Sequence, residues 1–105
     1  MEELIERARS GRIVVVDTRP PGEYAAGHIA GAISVPIDEL QDRLQKLPKS
    51  KEYVAYCRGP YCAYADRAVE LLRANGRRAR RLSHGFPEWK ASGLPTEGGA
   101  GEAPT

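Results

Sequence analysis

The run Arg12-Ile13-Val14-Val15-Val16-Asp17 constrains this chain more than any other segment. Four consecutive apolar residues, three of them valine, leave no polar face to turn toward water. With Gly11 before it and Pro20-Pro21 after it, the segment reads as a short strand covered on both faces. Covering both faces of a strand requires helices on each side, and the remaining sequence supplies them. Glu2 to Arg9 places Leu4, Ile5 and Ala8 on one helical face, and Ser10-Gly11 ends that helix. Pro20-Pro21-Gly22 is a turn, and Glu23 to Ala26 is one helical turn. Ala32 to Val35 is a second strand, stopped by Pro36.

Asp38 to Lys46 is helical, with Ile37, Leu40, Leu44 and Leu47 on one stripe, and Pro48 to Lys51 is a polar turn. Tyr53 to Tyr56 is a third strand. A helix from about Tyr61 to Ala74 turns Ala65, Ala68, Val69 and Leu72 inward and ends at Asn75-Gly76. Ala79 to Leu82 is a fourth strand, and Phe86 to Ala91 a short last helix ended by Gly93. Strand and helix alternate throughout. The expected fold is a compact three-layer α/β domain with a mainly parallel four- or five-stranded sheet flanked by helices. It is expected to occupy residues 1–96, with 97–105 as a disordered C-terminal tail that has nothing to bury.

Size and charge narrow the function classes. At 105 residues the chain can build one modest core. No segment approaches the length of a membrane span, and the acidic start Met1-Glu2-Glu3 does not resemble a signal peptide. A formal net charge of +2 demands no nucleic-acid partner. The basic run Arg73, Arg77, Arg78, Arg80 and Arg81 reads first as a solvated helix end and strand edge, not as a nucleic-acid patch. Two cysteines are too few for a disulfide scaffold, which points to a cytoplasmic, reducing setting. A zinc site would have to combine both with His28 and His84, at spacings that fit no usual pattern, so no metal is expected.

Those cysteines bracket Cys57-Arg58-Gly59-Pro60-Tyr61-Cys62, between the third strand and the helix that follows it. In parallel sheets, ligands bind outside the carboxyl ends of the strands, and Cys57 stands at such an end. The loop is short. Gly59 permits positive φ and Pro60 fixes its own φ, so backbone N–H groups can converge into an anion nest beside a helix N-terminus. A sulfur at that focus, with Arg58 nearby, is expected to be an exposed thiolate. The plainer alternative is a small buried hydrophobe ending a strand. Cys62 is either a resolving thiol, if the two Cα atoms lie within about 7 Å, or the first small residue of a helix. Asp17 and Arg19 either line the rim of the site or form a hydrogen-bonded pair that fixes the turn into Pro20-Pro21, the second being the more common arrangement. His28 reads as a structural hydrogen-bonder, Phe86 and Trp89 as core, and nothing assigns His84 a role.

Three segments, in order from 17 to 95, resemble the rhodanese-like domain family. The first is Asp17-Thr18-Arg19, Glu23-Tyr24, Gly27-His28-Ile29-Ala30-Gly31-Ala32 and Pro36, with Ala30 where the family often has proline. The second is the Cys57 to Cys62 loop. The third is Gly85-Phe86-Pro87-Glu88-Trp89 followed by Gly93-Leu94-Pro95. The resemblance implies a sulfurtransferase without cofactor. Cys57 would take a sulfane sulfur from a small anionic donor such as thiosulfate and pass it to a thiol or cyanide. The amides of Arg58, Gly59, Pro60, Tyr61, Cys62 and Ala63 form the loop that would hold the persulfide, Pro60 supplying no N–H. A related phosphatase and arsenate-reductase branch has a loop one residue longer and an arginine six residues after its cysteine. Here that position is Ala63, so no bidentate oxyanion clamp exists. Members usually begin with a strand before the first helix. This sequence starts inside that helix, which suggests a lost edge strand or a piece of a longer protein. The loop wording also resembles rhodanese modules fused behind a winged-helix metal-responsive repressor of the ArsR type. That resemblance implies a fused or partner DNA-binding domain, with a non-catalytic sulfur- or arsenic-sensing regulatory module of a larger transcription regulator as the alternative.

Overall fold

The expected alternation is realised as four parallel strands wrapped on both faces. The structure, a computed structural model, describes Glu6 and residues 10–58, 63–82 and 85–98. The first expected helix therefore lies outside the described residues except for Glu6, which is helical and accepts the Ser10 N–H at 3.0 Å. Strand β1 (Ile13–Asp17) is followed by helix α1 (Pro21–Ala26), then by β2 (His28–Ile29) and β3 (Ile33–Ser34). Helix α2 (Ile37–Arg43) runs into a 3₁₀ turn (Leu44–Lys46), and β4 (Glu52–Tyr56) leads to α3 (Ala63–Ala74). Strand β5 (Arg78–Arg81), helix α4 (Phe86–Ala91) and β6 (Thr96–Glu97) complete the order.

The main sheet has the order β3-β1-β4-β5, parallel throughout. Its register pairs Ile13 with Glu52 and Asp17 with Tyr56, so β1 and β4 end side by side. Side chains alternate across the sheet with the two-residue period of a strand. On one face, Val16, Tyr53, Ala55 and Cys57 pack with Leu40 and Leu44 and with Ala65, Ala68, Val69 and Leu72 of α3. On the other, Ile13, Val15, Val54 and Tyr56 pack with Ile29, Leu82 and Trp89. These are the three expected layers, and the apolar stripes on α2 and α3 are the ones the sequence marks. No helix among the described residues is long and apolar enough to cross a membrane.

A second, antiparallel pair joins β2 to β6, with His28 opposite Glu97. The pairing takes in Glu97, which the sequence reading places in the tail. His28 is held by its neighbours: its ring stacks on Tyr24 at 3.7 Å, Nδ1 lies 2.8 Å from the Tyr24 carbonyl, and Nε2 lies 3.4 Å from Glu97 Oε1.

The basic run is absorbed by the fold. At Gly76 the backbone adopts φ +80°, which glycine tolerates, and the Arg77 N–H returns to the Leu72 carbonyl at 2.9 Å to close α3. The Arg77 side chain is buried. Its guanidinium donates to the carbonyls of Leu47 (3.0 Å), Leu44 (2.6 Å) and Asn75, capping the 3₁₀ turn from below. Arg73 donates to the Ala79 carbonyl, Arg80 pairs with Glu52, and Arg81 pairs with Asp66. Replacing Arg77 with alanine strips buried carbonyls of their donors and is expected to cost about 2–3 kcal/mol, with lysine recovering only part. Urea unfolding midpoints of the two variants check this, and an alanine variant as stable as wild type would contradict it.

Candidate functional site

Cys57 follows the last residue of β4 and continues that strand's alternation. Its side chain therefore points to the same face as Tyr53 and Ala55, into the core under α2 and α3, and it is 1% exposed. The expected exposed thiolate is corrected on this point: strand geometry buries the residue. Cys57 is also disulfide-bonded here, and Cys62 is the chain's other cysteine. The Cys57 carbonyl accepts the N–H of Phe86 at 3.0 Å, which ties the start of α4 to the strand end. Gly59, Pro60, Tyr61 and Cys62 lie outside the described residues, as does His84. Ala63 is the exposed first residue of α3, so the helix begins directly after the loop.

Asp17 and Arg19 are not a solvent-facing rim. Asp17 is fully buried and Arg19 is 5% exposed. Arg19 donates through Nε at 3.0 Å to Oδ1 and through a terminal nitrogen at 2.7 Å to Oδ2, and its backbone N–H also reaches Oδ1 at 2.9 Å. A further donation reaches the Gly27 carbonyl at 2.6 Å. The guanidinium lies 4.5 Å over the Phe86 ring and 5.6 Å from that of Tyr56. Burial works against the Arg19 cation, but the Asp17 hydrogen bond and charge outweigh it and hold it firmly protonated. Tyr56 closes the network: its hydroxyl donates to Asp17 Oδ2 at 2.7 Å and accepts the Ile29 N–H at 3.1 Å. Burial, then the Asp17 charge, keeps that hydroxyl protonated far above its ordinary range. Thr18 adds two bonds to the Tyr56 carbonyl, from N–H at 3.2 Å and Oγ1 at 2.9 Å. The carboxyl ends of β1 and β4 are thus locked together immediately before Cys57.

Arg58 points away from this network and into solvent. Its Nε donates to both oxygens of Glu23, at 2.8 and 3.0 Å, and a terminal nitrogen also bonds Oε2. Its carbon Cζ lies 5.6 Å from the Tyr64 ring centre. The Arg58 hydrogen bond holds the Glu23 carboxyl below its ordinary range. The pair is therefore intact at neutral pH and is lost only as pH falls below that range. In the sequence Glu23 stands in a helical turn after β1 and in the first family signature, and neither points to Arg58. It stands 35 positions from Arg58, and only the sheet register brings the two together.

The Tyr56 hydroxyl serves a donor and an acceptor that have no access to water. Replacing it with phenylalanine is expected to cost about 1–3 kcal/mol. Thermal unfolding checks the loss, and an unchanged midpoint would show that the network is dispensable.

Comparison with known proteins agrees with this geometry. The profile of the rhodanese-like domain matches residues 1–92. The HTH-type transcriptional regulator Rv0324 of Mycobacterium tuberculosis is 50% identical over 98 residues, which are 93% of this chain and 43% of that protein. This chain thus spans less than half of that relative's length. A sulfurtransferase of Allochromatium vinosum is 33% identical over 90% of this chain and 88% of its own length. Among solved structures, the BH2092 protein of Bacillus halodurans superposes with a TM-score of 0.83 at 32% identity, covering 92% of this chain and 73% of that one. The thiosulfate sulfurtransferase of Pseudomonas aeruginosa gives 0.81 at 31% identity, covering 95% of this chain and 19% of that one. With its three-layer parallel sheet and a cysteine at the end of β4, the chain belongs to the rhodanese-like domain family.

Proposed function

We propose that the protein is a sulfurtransferase that carries sulfur on Cys57. The observation that carries the reading is the position of Cys57 at the carboxyl end of a central parallel strand, one short loop before a helix N-terminus. Two electrons from a dithiol first reduce the Cys57 disulfide to thiols. The Cys57 thiolate then attacks the sulfane sulfur of a donor such as thiosulfate. The donor S–S bond breaks, sulfite leaves with the electron pair, and Cys57–S–S⁻ remains. The N–H groups of the loop from Arg58 through Gly59, Tyr61 and Cys62 to Ala63 hold that anion. An acceptor thiolate or cyanide then takes the outer sulfur and restores the Cys57 thiolate. The chemistry asks for no cofactor and no metal, and the setting is cytoplasmic.

A second reading has its own support in the likeness to a regulator more than twice this chain's length. There the module would load sulfur once and report to a fused or partner DNA-binding domain, without direct nucleic-acid contact of its own.

The test is an intact mass of the reduced chain before and after thiosulfate. Wild type is expected to gain one sulfur atom, removable by cyanide, and Cys57→Ser to gain none. Equal loading of the Ser variant would overturn the carrier assignment. Multiple turnover at steady state supports the enzyme, whereas one load without turnover supports the sensing module.

A further inference from the structure

The charges around the site cancel in pairs. Arg19 is spent on Asp17. Arg58, the residue directly after Cys57, is spent on Glu23, with side chains 51% and 35% exposed. The edge of the Arg58 guanidinium that Glu23 occupies runs from Nε to a terminal nitrogen, which is the fork that matches two oxygens of an oxyanion. An oxyanion that approaches Arg58, such as thiosulfate on its way to Cys57, must compete with a carboxylate of this chain for that fork. A donor with no oxyanion group has nothing to displace. Tyr64 contributes a ring face toward the cation and no competing charge.

We propose that Glu23 is a specificity residue. By holding the Arg58 fork it disfavours oxyanion sulfur donors and leaves the persulfides of thiols, which carry at most one charge on the sulfane group, as the donor class this site selects. Glu23 acts through Arg58 and takes no part in bond making. The inference rests on Cys57 being the sulfur carrier, and it names the donor for that same site.

The experiment compares wild type, Glu23→Gln, Arg58→Gln and the double variant, all full chain and reduced. Loading of Cys57 is followed with thiosulfate and with the persulfide of 2-mercaptoethanol. Freeing one cation at the site is expected to lower the thiosulfate KM of Glu23→Gln about threefold or more, with kcat and the persulfide KM moving by less than about twofold. A residue that merely braces the loop would change both donors together. An unchanged or raised thiosulfate KM in Glu23→Gln would overturn the proposal.

A second arm works without sulfur transfer. Alkylation of Cys57 by anionic iodoacetate and by neutral iodoacetamide, read by peptide mass, reports the charge at the thiol. The ratio of the two rates is expected to rise in Glu23→Gln, to fall in Arg58→Gln, and to return near wild type in the double variant. If no donor loads wild type, the carrier reading fails, and this ratio still decides the role of Glu23. A ratio indifferent to both single substitutions would refute it. Should Glu23→Gln not fold, Arg58→Gln carries the same comparison with the opposite sign.

Discussion

A buried ion pair holds the working end of this domain together. Asp17 ends β1 with no access to water, a position that would be prohibitive for a lone carboxylate. It is tolerable because Arg19 grips both of its oxygens and the Tyr56 hydroxyl donates a further bond. The same atoms then reach outward. Arg19 fixes the Gly27 carbonyl, Tyr56 orients the Ile29 amide, and Phe86 lies against the guanidinium. Three connections that follow or flank the sheet are thereby referred to one point. Such a network fixes position more than it adds stability, since much of what the pair gains repays desolvation.

The strand end that carries Cys57 is fixed on both sides. A residue at the end of a strand inherits the rigidity of the register, and here the register is bonded on both sides. Thr18 holds the carbonyl before Cys57, and the Phe86 amide holds the carbonyl of Cys57 itself. The cost is access. The alternation that locates the sulfur also directs it into the apolar layer beneath α3. Helix α3 begins at Ala63, six positions after Cys57.

Much of this was legible in the sequence because it rests on local rules. The unbroken Ile13–Val16 run could be covered only by helices on both faces, and the stripes on α2 and α3 follow a helical period. Asp17 and Arg19 are two residues apart, and their pairing was within reach of a turn argument. What escaped depends on distance along the chain. The β2–β6 pair joins His28–Ile29 to Thr96–Glu97, two residues against two, too short to leave a pattern. Glu23 and Arg58 meet because β1 and β4 end in register, which neither segment announces by itself. The burial of Cys57 follows from strand parity, which places it on the face of Tyr53 and Ala55, whereas the composition of the loop after it suggests exposure.

The strand β5 reads Arg-Ala-Arg-Arg and forms one end of the four-stranded sheet among the described residues. Open strand edges are templates for foreign strands, and cells contain many candidates. Along this edge the guanidiniums are drawn sideways, Arg78 toward the Ser50 carbonyl, Arg80 to Glu52 and Arg81 to Asp66. The density of arginine on β5, which resembles a polyanion-binding surface in the sequence, is thus spent within the chain on two carboxylates and a backbone carbonyl.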